Sequence, residues 1–300
     1  MTGANREPDY TRITILTILV VAILIVFYAF SIDLFSLLDN SVNSFQSSSS
    51  LVLIWRISCL LVGICAIIYM LKCGPGEMRV ISMKECEEVI RYPQGLSKFV
   101  TFSSWTLLSN VAYFLFSIIN HLLNNYGIST PNVLLQIQIF TFCTGIAMAF
   151  MTATIVRHII LPDEVRIGRD HDYMFLFHEQ IMHNFAAIFL AVELILLQPE
   201  LKPEFAIIGL LIGIVYVTFA YLFAYFGGGY IVYSFLHPKP KIAPILVFVL
   251  AGLISLFYTG LWFVSTLERA FAIPILIIWI SLIVQFRATH KEPATETTAS

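Results

Sequence analysis

Long apolar stretches, rather than alternating hydrophobic and polar positions, dominate this sequence of 300 residues. A membrane-crossing helix needs about 20 predominantly apolar residues. Runs of roughly that length recur at 13–37, 51–71, 99–123, 133–156, 180–198, 205–226, 243–267 and 270–285. The pattern predicts an all-α polytopic transmembrane helical bundle over residues 13–286, with about eight spans and with six or seven as alternative counts.

Composition strengthens this prediction and excludes several other classes of protein. Hydrophobic residues make up 58% of the chain and charged residues only 12%, whereas a soluble domain carries about 25% charge. The 17 basic and 19 acidic residues nearly cancel, so nucleic acid is not an expected partner. The five cysteines have no paired CxxC spacing, which argues against a zinc site or a disulfide framework.

The distribution of lysine and arginine predicts how the chain is oriented in the membrane. With eight spans and a cytosolic N-terminus, 14 basic residues fall on the inside, only Lys202 and Arg269 fall outside, and Arg56 lies within a span. This bias follows the positive-inside rule. We therefore expect a cytosolic N-terminal segment at 1–12 and a disordered cytosolic tail at 287–300. The plasma membrane and the endoplasmic reticulum fit the sequence equally.

Ionisable residues inside the predicted spans are candidates for function, because a charge in the bilayer is costly. The clear cases are Arg56, Asp33, His183 and Glu193. Arg56 and Asp33 fall at similar depth near the outer ends of their spans, and Glu193 lies about 15 Å beyond His183 toward the same side. A structural salt bridge from Arg56 to Asp33 or Glu193 and a substrate-binding role are both open.

His183 has a carboxylate, Glu179, four residues earlier, on the same helical face. Such a carboxylate can orient the imidazole of a catalytic base and stabilise its protonated form. The alternative is a solvated Glu179 and a His183 that bonds a neighbouring helix. His178 is five residues from His183, whereas zinc proteases use a spacing of four. In a regular helix this turns the two rings about 140° apart, so no metal is expected.

A nucleophile for His183 would have to lie at the same depth. The third predicted span begins with Thr101, Ser103 and Ser104 on the side where His183 lies. A hydroxyl becomes a useful nucleophile only when a base takes its proton. Alternatively, Thr101 bonds its own helix backbone. Glycines 227–229 end the sixth predicted span at the same face, and their backbone is a further candidate for stabilising an oxyanion.

The loop between the second and third predicted spans contains the mixed-charge run Lys84, Glu85, Glu87 and Glu88. Alternating charges of this kind are typical of the solvated face of a helix. We therefore expect a solvated helix in this loop.

Three local motifs resemble the androgen-induced/rolling-stone superfamily of multi-pass membrane proteins. Lys98, Thr101 and Phe102 resemble the K-F-L-T-F motif that opens a span, and Thr101 with Trp105 resembles Y-L-T-N-W. Met182-His183 with Glu193 is similar to the family's M-H and its later glutamate. The stretch Tyr233-Ser234-Phe235-Leu236 is similar to V-Y-P-F-L. The likeness covers about 51–267, a six-span core with one extra span at each end.

The resemblance implies an activity and its residues. Members of the androgen-induced branch are threonine hydrolases that cleave fatty-acid esters of hydroxy fatty acids, which implies Thr101 as nucleophile and His183 as base. The expected partners are membrane lipids and a lipid ester substrate, and no cofactor is expected. Rolling-stone members, which are linked to membrane fusion, suggest a non-enzymatic protein of fusion, adhesion or assembly instead. A transporter that uses Arg56, Asp33 and Glu193 is a third reading. Self-association is not predicted either way.

Overall fold

The computed structural model describes residues 8–73 and 77–287, and these residues are mainly helical. The predicted tail at 287–300 and the segment at 1–12 lie outside the described residues, apart from 287 and 8–12. The helices are α1 Thr11–Ser31, α2 Leu34–Ser41, α3 Ser50–Cys73, α4 Phe102–Asn125, α5 Asn132–Ile155, α6 Leu161–Ile167, α7 Phe177–Gln180, α8 Ala186–Leu197, α9 Ala206–Phe223, α10 Ala243–Ser265 and α11 Arg269–Ile283.

Seven helical stretches of the described chain are long and apolar enough to cross a membrane. Two of them join consecutive helices through a π turn, over Asn132–Ile167 and Phe177–Leu197, and a third, Pro203–Gly228, extends α9 by a short turn at each end. The eighth predicted run forms the shorter apolar helix α11, which has 15 residues. The predicted all-α polytopic bundle is confirmed, and the architecture is that of a multi-pass membrane protein.

The first predicted run, 13–37, is two helices rather than one span. α1 ends at Ser31, and Asp33 adopts a left-handed conformation with φ +49°. The Asp33 carboxylate accepts a hydrogen bond of 3.4 Å from the backbone N–H of Ser36, so it caps the N-terminus of α2. Asp33 is exposed, and a carboxylate in this role is not a buried ion-pair partner.

Three π-helical turns interrupt the long helices of the described chain, at Val156–Ile160, Ile181–Phe185 and Ala224–Gly228. Each inserts an extra residue into a turn and changes which side chains share a face. Such turns occur frequently at functional sites. Two of these three supply residues to the site described below.

A small antiparallel sheet lies at one end of the bundle. Its strands are β1 Met78–Ser82, β2 Glu88–Arg91 and β3 Tyr230–Ile231, in the order β2-β1-β3. Val80 pairs with Val89, and Ile81 pairs with both Glu88 and Ile231. The expected solvated helix around Lys84 is therefore wrong, because this run forms the turn between β1 and β2. We call this end of the molecule the sheet end.

Helix α5 forms the centre of the bundle. Along its second half, residues on every side are buried, including Phe142, Ile146 and Phe150. A helix that is apolar all round must be surrounded by other protein or by lipid. α4, α8, α9 and α10 surround α5, whereas α1 and α3 keep many exposed apolar side chains. Exposed residues of this kind suit contact with lipid tails.

Candidate functional site

A cavity of about 500 Å³ lies between the sheet and the long helices. Ligand sites in proteins usually measure about 300–1,000 Å³. Strand β1, the start of α4, the end of α5 with its π turn, α6, the segment leading to His183, α9, α10 and the chain after β3 all contribute to its wall. The wall of the cavity is therefore formed by segments from widely separated parts of the sequence.

One wall of this cavity is apolar and consists of residues in the middle of long helices. They are Met151 and Ile155 of α5, Leu210, Gly213, Ile214 and Val217 of α9, and Val247, Leu250, Ala251 and Ile254 of α10. The close approach of α9 and α10 near this wall needs a glycine. A side chain at Gly209 would place its Cβ 2.4 Å from Ile254 Cγ2, well inside van der Waals contact.

Thr101 lies at the polar side of the cavity, where α4 begins. It is the N-cap of α4 and has an extended backbone, with ψ 149°. Its Oγ1 accepts hydrogen bonds from the backbone N–H of Ser104 at 3.1 Å and from Ser103 Oγ at 3.2 Å. Threonine is favoured at this position because its oxygen satisfies a free N–H of the first turn. The positive end of the helix dipole also stabilises negative charge on Oγ1.

The other two hydroxyl candidates occupy different positions. Ser103 lines the cavity beside Thr101. Ser104 is fully buried, and its Oγ donates a 2.7 Å hydrogen bond to the carbonyl oxygen of Thr101. Ser104 is not part of the described lining of the cavity. Thr101 and Ser103 are therefore the hydroxyls of this group that reach the cavity.

Tyr233 fixes the backbone beside Thr101. The backbone N–H of Phe102 donates a 3.1 Å hydrogen bond to the Tyr233 hydroxyl, and Tyr233 also lines the cavity. Burial raises the pKa of Tyr233 to about 12, so its phenol retains a proton at neutral pH. Sequence reasoning placed Tyr233 in a motif but assigned it no role in a site. The only signal for it was the Y-S-F-L stretch itself.

His183 reaches the cavity from the π turn that follows α7. Its Nε2 lies 3.3 Å from Glu179 Oε2, and the other oxygen of Glu179 lies 3.2 Å from His178 Nε2. The side chain of His183 is largely buried, and its Nδ1 has no hydrogen-bond partner among the described residues. Glu179 and His183 both line the cavity. A carboxylate, an imidazole and the Thr101 hydroxyl thus face one space.

His178 and His183 both lie near the Glu179 carboxylate, which has one of them next to it in sequence and the other four residues later. His183 itself belongs to the π turn at Ile181–Phe185. Across the described residues, no three His, Cys, Asp or Glu side chains form a group that could hold a metal ion.

Glycines 227–229 have a different position from the one expected. None of them is in the described lining of the cavity. Gly229 has a φ of +70°, and its carbonyl oxygen accepts a 3.0 Å hydrogen bond from the backbone N–H of Met83. The glycines let α9 end and the chain turn into β3, so their backbone is not the oxyanion donor that sequence reasoning suggested.

The remaining intramembrane candidates lie apart from the cavity. Arg56 Nε donates a 2.7 Å hydrogen bond to Glu193 Oε1, and the same oxygen accepts one of 2.8 Å from the Tyr113 hydroxyl. Arg56 is 1% exposed and Glu193 0%. Neither they nor Asp33 are in the described lining of the cavity. Arg56 and Glu193 therefore pair with each other instead of lining a polar path with Asp33.

Ion pairs close the rim of the cavity at the sheet end. Glu88 on β2 lies 3.3 Å from Arg79 on β1 and 3.1 Å from Arg169. Arg169 also lies 3.5 Å from Glu164 in the first turn of α6. These contacts join the β1–β2 hairpin to the segment after α6 across the opening of the cavity.

Comparison of the chain with protein-family models, curated proteins and solved structures found no match. The likeness to the androgen-induced/rolling-stone superfamily therefore remains an expectation from short motifs. What the structure itself establishes is a multi-pass membrane helical bundle with a mainly apolar cavity whose polar side includes Thr101, Glu179 and His183.

Proposed function

We propose that this protein is a membrane-embedded hydrolase of long-chain lipid esters, with Thr101 as nucleophile and His183 as base. The observation that carries the proposal is that Thr101, Glu179 and His183 line one cavity whose other wall is apolar. An acyl chain lying against α9 and α10 would present its ester at the polar side. The resemblance to threonine hydrolases assigns the same two roles to the same two residues.

The reaction divides into two acyl transfers. His183 takes the proton of Thr101 Oγ1, which attacks the ester carbonyl carbon, and the carbon–oxygen bond to the alcohol breaks as His183 returns the proton to that oxygen. Water, deprotonated by His183, then attacks the acyl-threonine and releases the fatty acid, and Thr101 regains its proton. The hydrogen bond from Ser104 N–H and the N-terminus of α4 stabilise charge on Oγ1.

Two neighbours have supporting roles in this mechanism. Glu179, 3.3 Å from His183, orients the ring and stabilises the imidazolium that forms when the proton is transferred. The Tyr233 hydroxyl accepts the Phe102 N–H and still has its own proton to donate. It is the group we assign to the oxyanion of the tetrahedral intermediate.

The orientation that the basic residues predict places the sheet end, and the polar side of the cavity, toward the cytosol. The apolar wall then lies within the membrane. A lipid ester would enter sideways between the helices, and a fatty acid could return to the bilayer by the same route.

The test is hydrolysis of a long-chain fluorogenic ester and of branched fatty-acid esters by membranes that contain the protein. We expect wild type to be active, and Thr101→Ala and His183→Ala each to lower turnover by about 10²-fold or more. Ser103→Ala, the rival hydroxyl in the cavity, should retain most of the activity.

Thr154→Ala is the matched control. Thr154 is also a half-buried threonine of the bundle, but its Oγ1 donates a 2.7 Å hydrogen bond to the carbonyl oxygen of Phe150, and it is not in the described lining of the cavity. Its activity should equal that of wild type. Equal turnover by wild type, Thr101→Ala and His183→Ala would refute the proposed mechanism.

A further inference from the structure

The charged residues around the polar side of the cavity are unequal in number. Five carboxylates line it, those of Glu77, Glu88, Asp163, Glu164 and Glu179, against the two guanidinium groups of Arg79 and Arg169. Both arginines already contact glutamates of this set. Asp163 also contacts Arg166, and Glu179 lies beside two histidines. Carboxylates still outnumber guanidinium groups here, so a positively charged ligand would be attracted and an additional negative charge repelled.

One of these carboxylates lacks a partner for one of its oxygens. Glu164 is nine-tenths buried, and its Oε1 lies 3.5 Å from Arg169 Nη1. Its Oε2 is fully buried and accepts no hydrogen bond within the part of the chain that the structure describes. A buried carboxylate oxygen without a donor is costly, and Glu164 lines the cavity. An N–H group of a ligand would supply the missing donor.

Tyr173 also lines the cavity. Its pKa is raised, first by partial desolvation and then by the nearby carboxylates of Glu164 and Glu179, while Arg79 and Arg169 act in the opposite direction. Arg169 and Glu164 also lie side by side, which presents one positive and one negative group to the same space. A zwitterionic head group, with a phosphate and an ammonium in succession, has the complementary arrangement.

We propose that the cavity selects lipids whose head group carries a protonated amine, such as ethanolamine glycerophospholipids, with the ammonium donating to Glu164 and the phosphate facing Arg169. This proposal names the substrate class of the proposed hydrolase. It rests on the proposed function for the claim that the bound ester is hydrolysed. Esters that bear a free carboxylate, such as the branched fatty-acid esters of the activity test, would then be hydrolysed more slowly than amine lipids, because their charge has the same sign as most of the charged groups in the lining.

The test measures binding without hydrolysis. Purified Thr101→Ala protein in detergent micelles is saturated with a fluorescent-acyl phosphatidylethanolamine, which is then displaced by lipids with identical chains. The competitors are phosphatidylethanolamine, its mono- and dimethylated forms, phosphatidylcholine, phosphatidylglycerol and a fatty-acid ester with a free carboxylate. Each methyl group removes one N–H, so phosphatidylcholine retains the positive charge and lacks a donor.

We expect phosphatidylethanolamine to bind about tenfold more tightly than phosphatidylglycerol or the carboxylate ester. The largest loss in the methylated series should come with the third methyl group, which removes the last N–H. Glu164→Gln should abolish the preference. Asp172→Asn, which removes an exposed carboxylate at the same end that is not in the described lining, should keep it.

Equal binding of all head groups by the Thr101→Ala protein, or tighter binding of the anionic lipids, would overturn the proposal. A preference that persists in Glu164→Gln would overturn the role of that residue. If Glu164→Gln does not fold, the series of head groups alone tests whether the cavity prefers lipids with a protonated amine. Selective binding together with a lack of hydrolysis by wild type would refute the proposed hydrolase while leaving the amine preference standing.

Discussion

Two polar regions lie in the same apolar bundle, and they differ in whether their residues line the cavity. Around Arg56, the guanidinium contacts the Glu193 carboxylate and the carbonyl oxygen of Ser117, and the Tyr113 hydroxyl also donates to Glu193. At the sheet end, Thr101, Glu179 and His183 line the cavity, with Glu179 3.3 Å from His183. The first region is closed and the second leaves room for another molecule.

The difference separates two uses of an ionisable residue inside a membrane protein. Arg56 and Glu193 are almost completely buried, and they connect α3 with α8 while Tyr113 adds α4. Such a pair holds helices together in one arrangement. Glu193 Oε2, His183 Nδ1 and Glu164 Oε2 all lack a hydrogen-bond partner among the described residues. Glu193 is not in the described lining of the cavity, whereas His183 and Glu164 are, so only these two lie beside space that a ligand could occupy.

The largest expected effect on stability comes from breaking the closed region. Arg56→Met leaves the Glu193 carboxylate buried without its cation, and removal of one partner from a buried pair typically costs about 3–5 kcal/mol. We expect a much lower thermal stability in detergent for Arg56→Met than for wild type. The double variant Arg56→Met/Glu193→Gln should recover a large part of the loss, because glutamine is uncharged and still accepts from Tyr113.

Thermal unfolding of the two single variants and the double variant gives the coupling between the residues. If the losses of the single variants simply add in the double variant, Arg56 and Glu193 do not form the pair that the structure shows.

The next effect concerns activity in the open region. Glu179→Gln keeps the shape of the side chain but removes the charge that stabilises protonated His183. We expect turnover of a long-chain ester to fall by roughly tenfold or more, with thermal stability close to that of wild type. Lower stability with unchanged turnover per folded molecule would show that Glu179, like Arg56, stabilises the fold and does not act in the reaction.

A smaller effect comes from an arginine–glutamate contact outside the closed core. Arg79 is 36% exposed and Glu88 40%, so water screens their interaction, and exposed pairs are worth about 0–1 kcal/mol. Arg79→Gln should therefore change the free energy of unfolding far less than Arg56→Met does. Equal losses for the two substitutions, measured in the same detergent, would show that burial does not explain the difference.

The smallest effect is a dependence of stability on pH at the sheet end. Burial, and then the nearby Lys239 ammonium, lower the pKa of His237 below its usual value. As the pH falls below about 6.5, unfolded chains take up a proton that the folded protein resists. Stability should therefore decline from pH 7 toward pH 5, and less steeply in His237→Asn. Identical pH profiles for the two proteins would contradict this role of His237.

Much of the bundle follows from the hydrophobic runs, because a span of about 20 apolar residues has few alternatives to a membrane helix. The interruption between α1 and α2 at Asp33 could not be predicted from the hydrophobic runs, since no glycine or proline marks it. The strands at Met78–Ser82 and Tyr230–Ile231 are short, and they pair across about 150 residues of sequence. Their pairing depends on tertiary contacts, which local patterns do not contain.

The candidate site was predictable in its residue types and not in its geometry. Depth and spacing could name His183, Glu179 and the group of Thr101, Ser103 and Ser104, and the family resemblance alone singled out Thr101. The π turn that contains His183 has no distinct local signature. Tyr233 and Glu164 acquire their positions from chain segments far from Thr101 in sequence, so periodicity alone could not connect them with it.

The most direct test of the account is the site at which a long-chain fluorophosphonate labels the protein in membranes, determined by tandem mass spectrometry. The account predicts a phosphonate adduct on Thr101 in wild type and a large loss of that adduct in His183→Ala. Labelling of another residue, or equal labelling of Thr101 with and without His183, would contradict it.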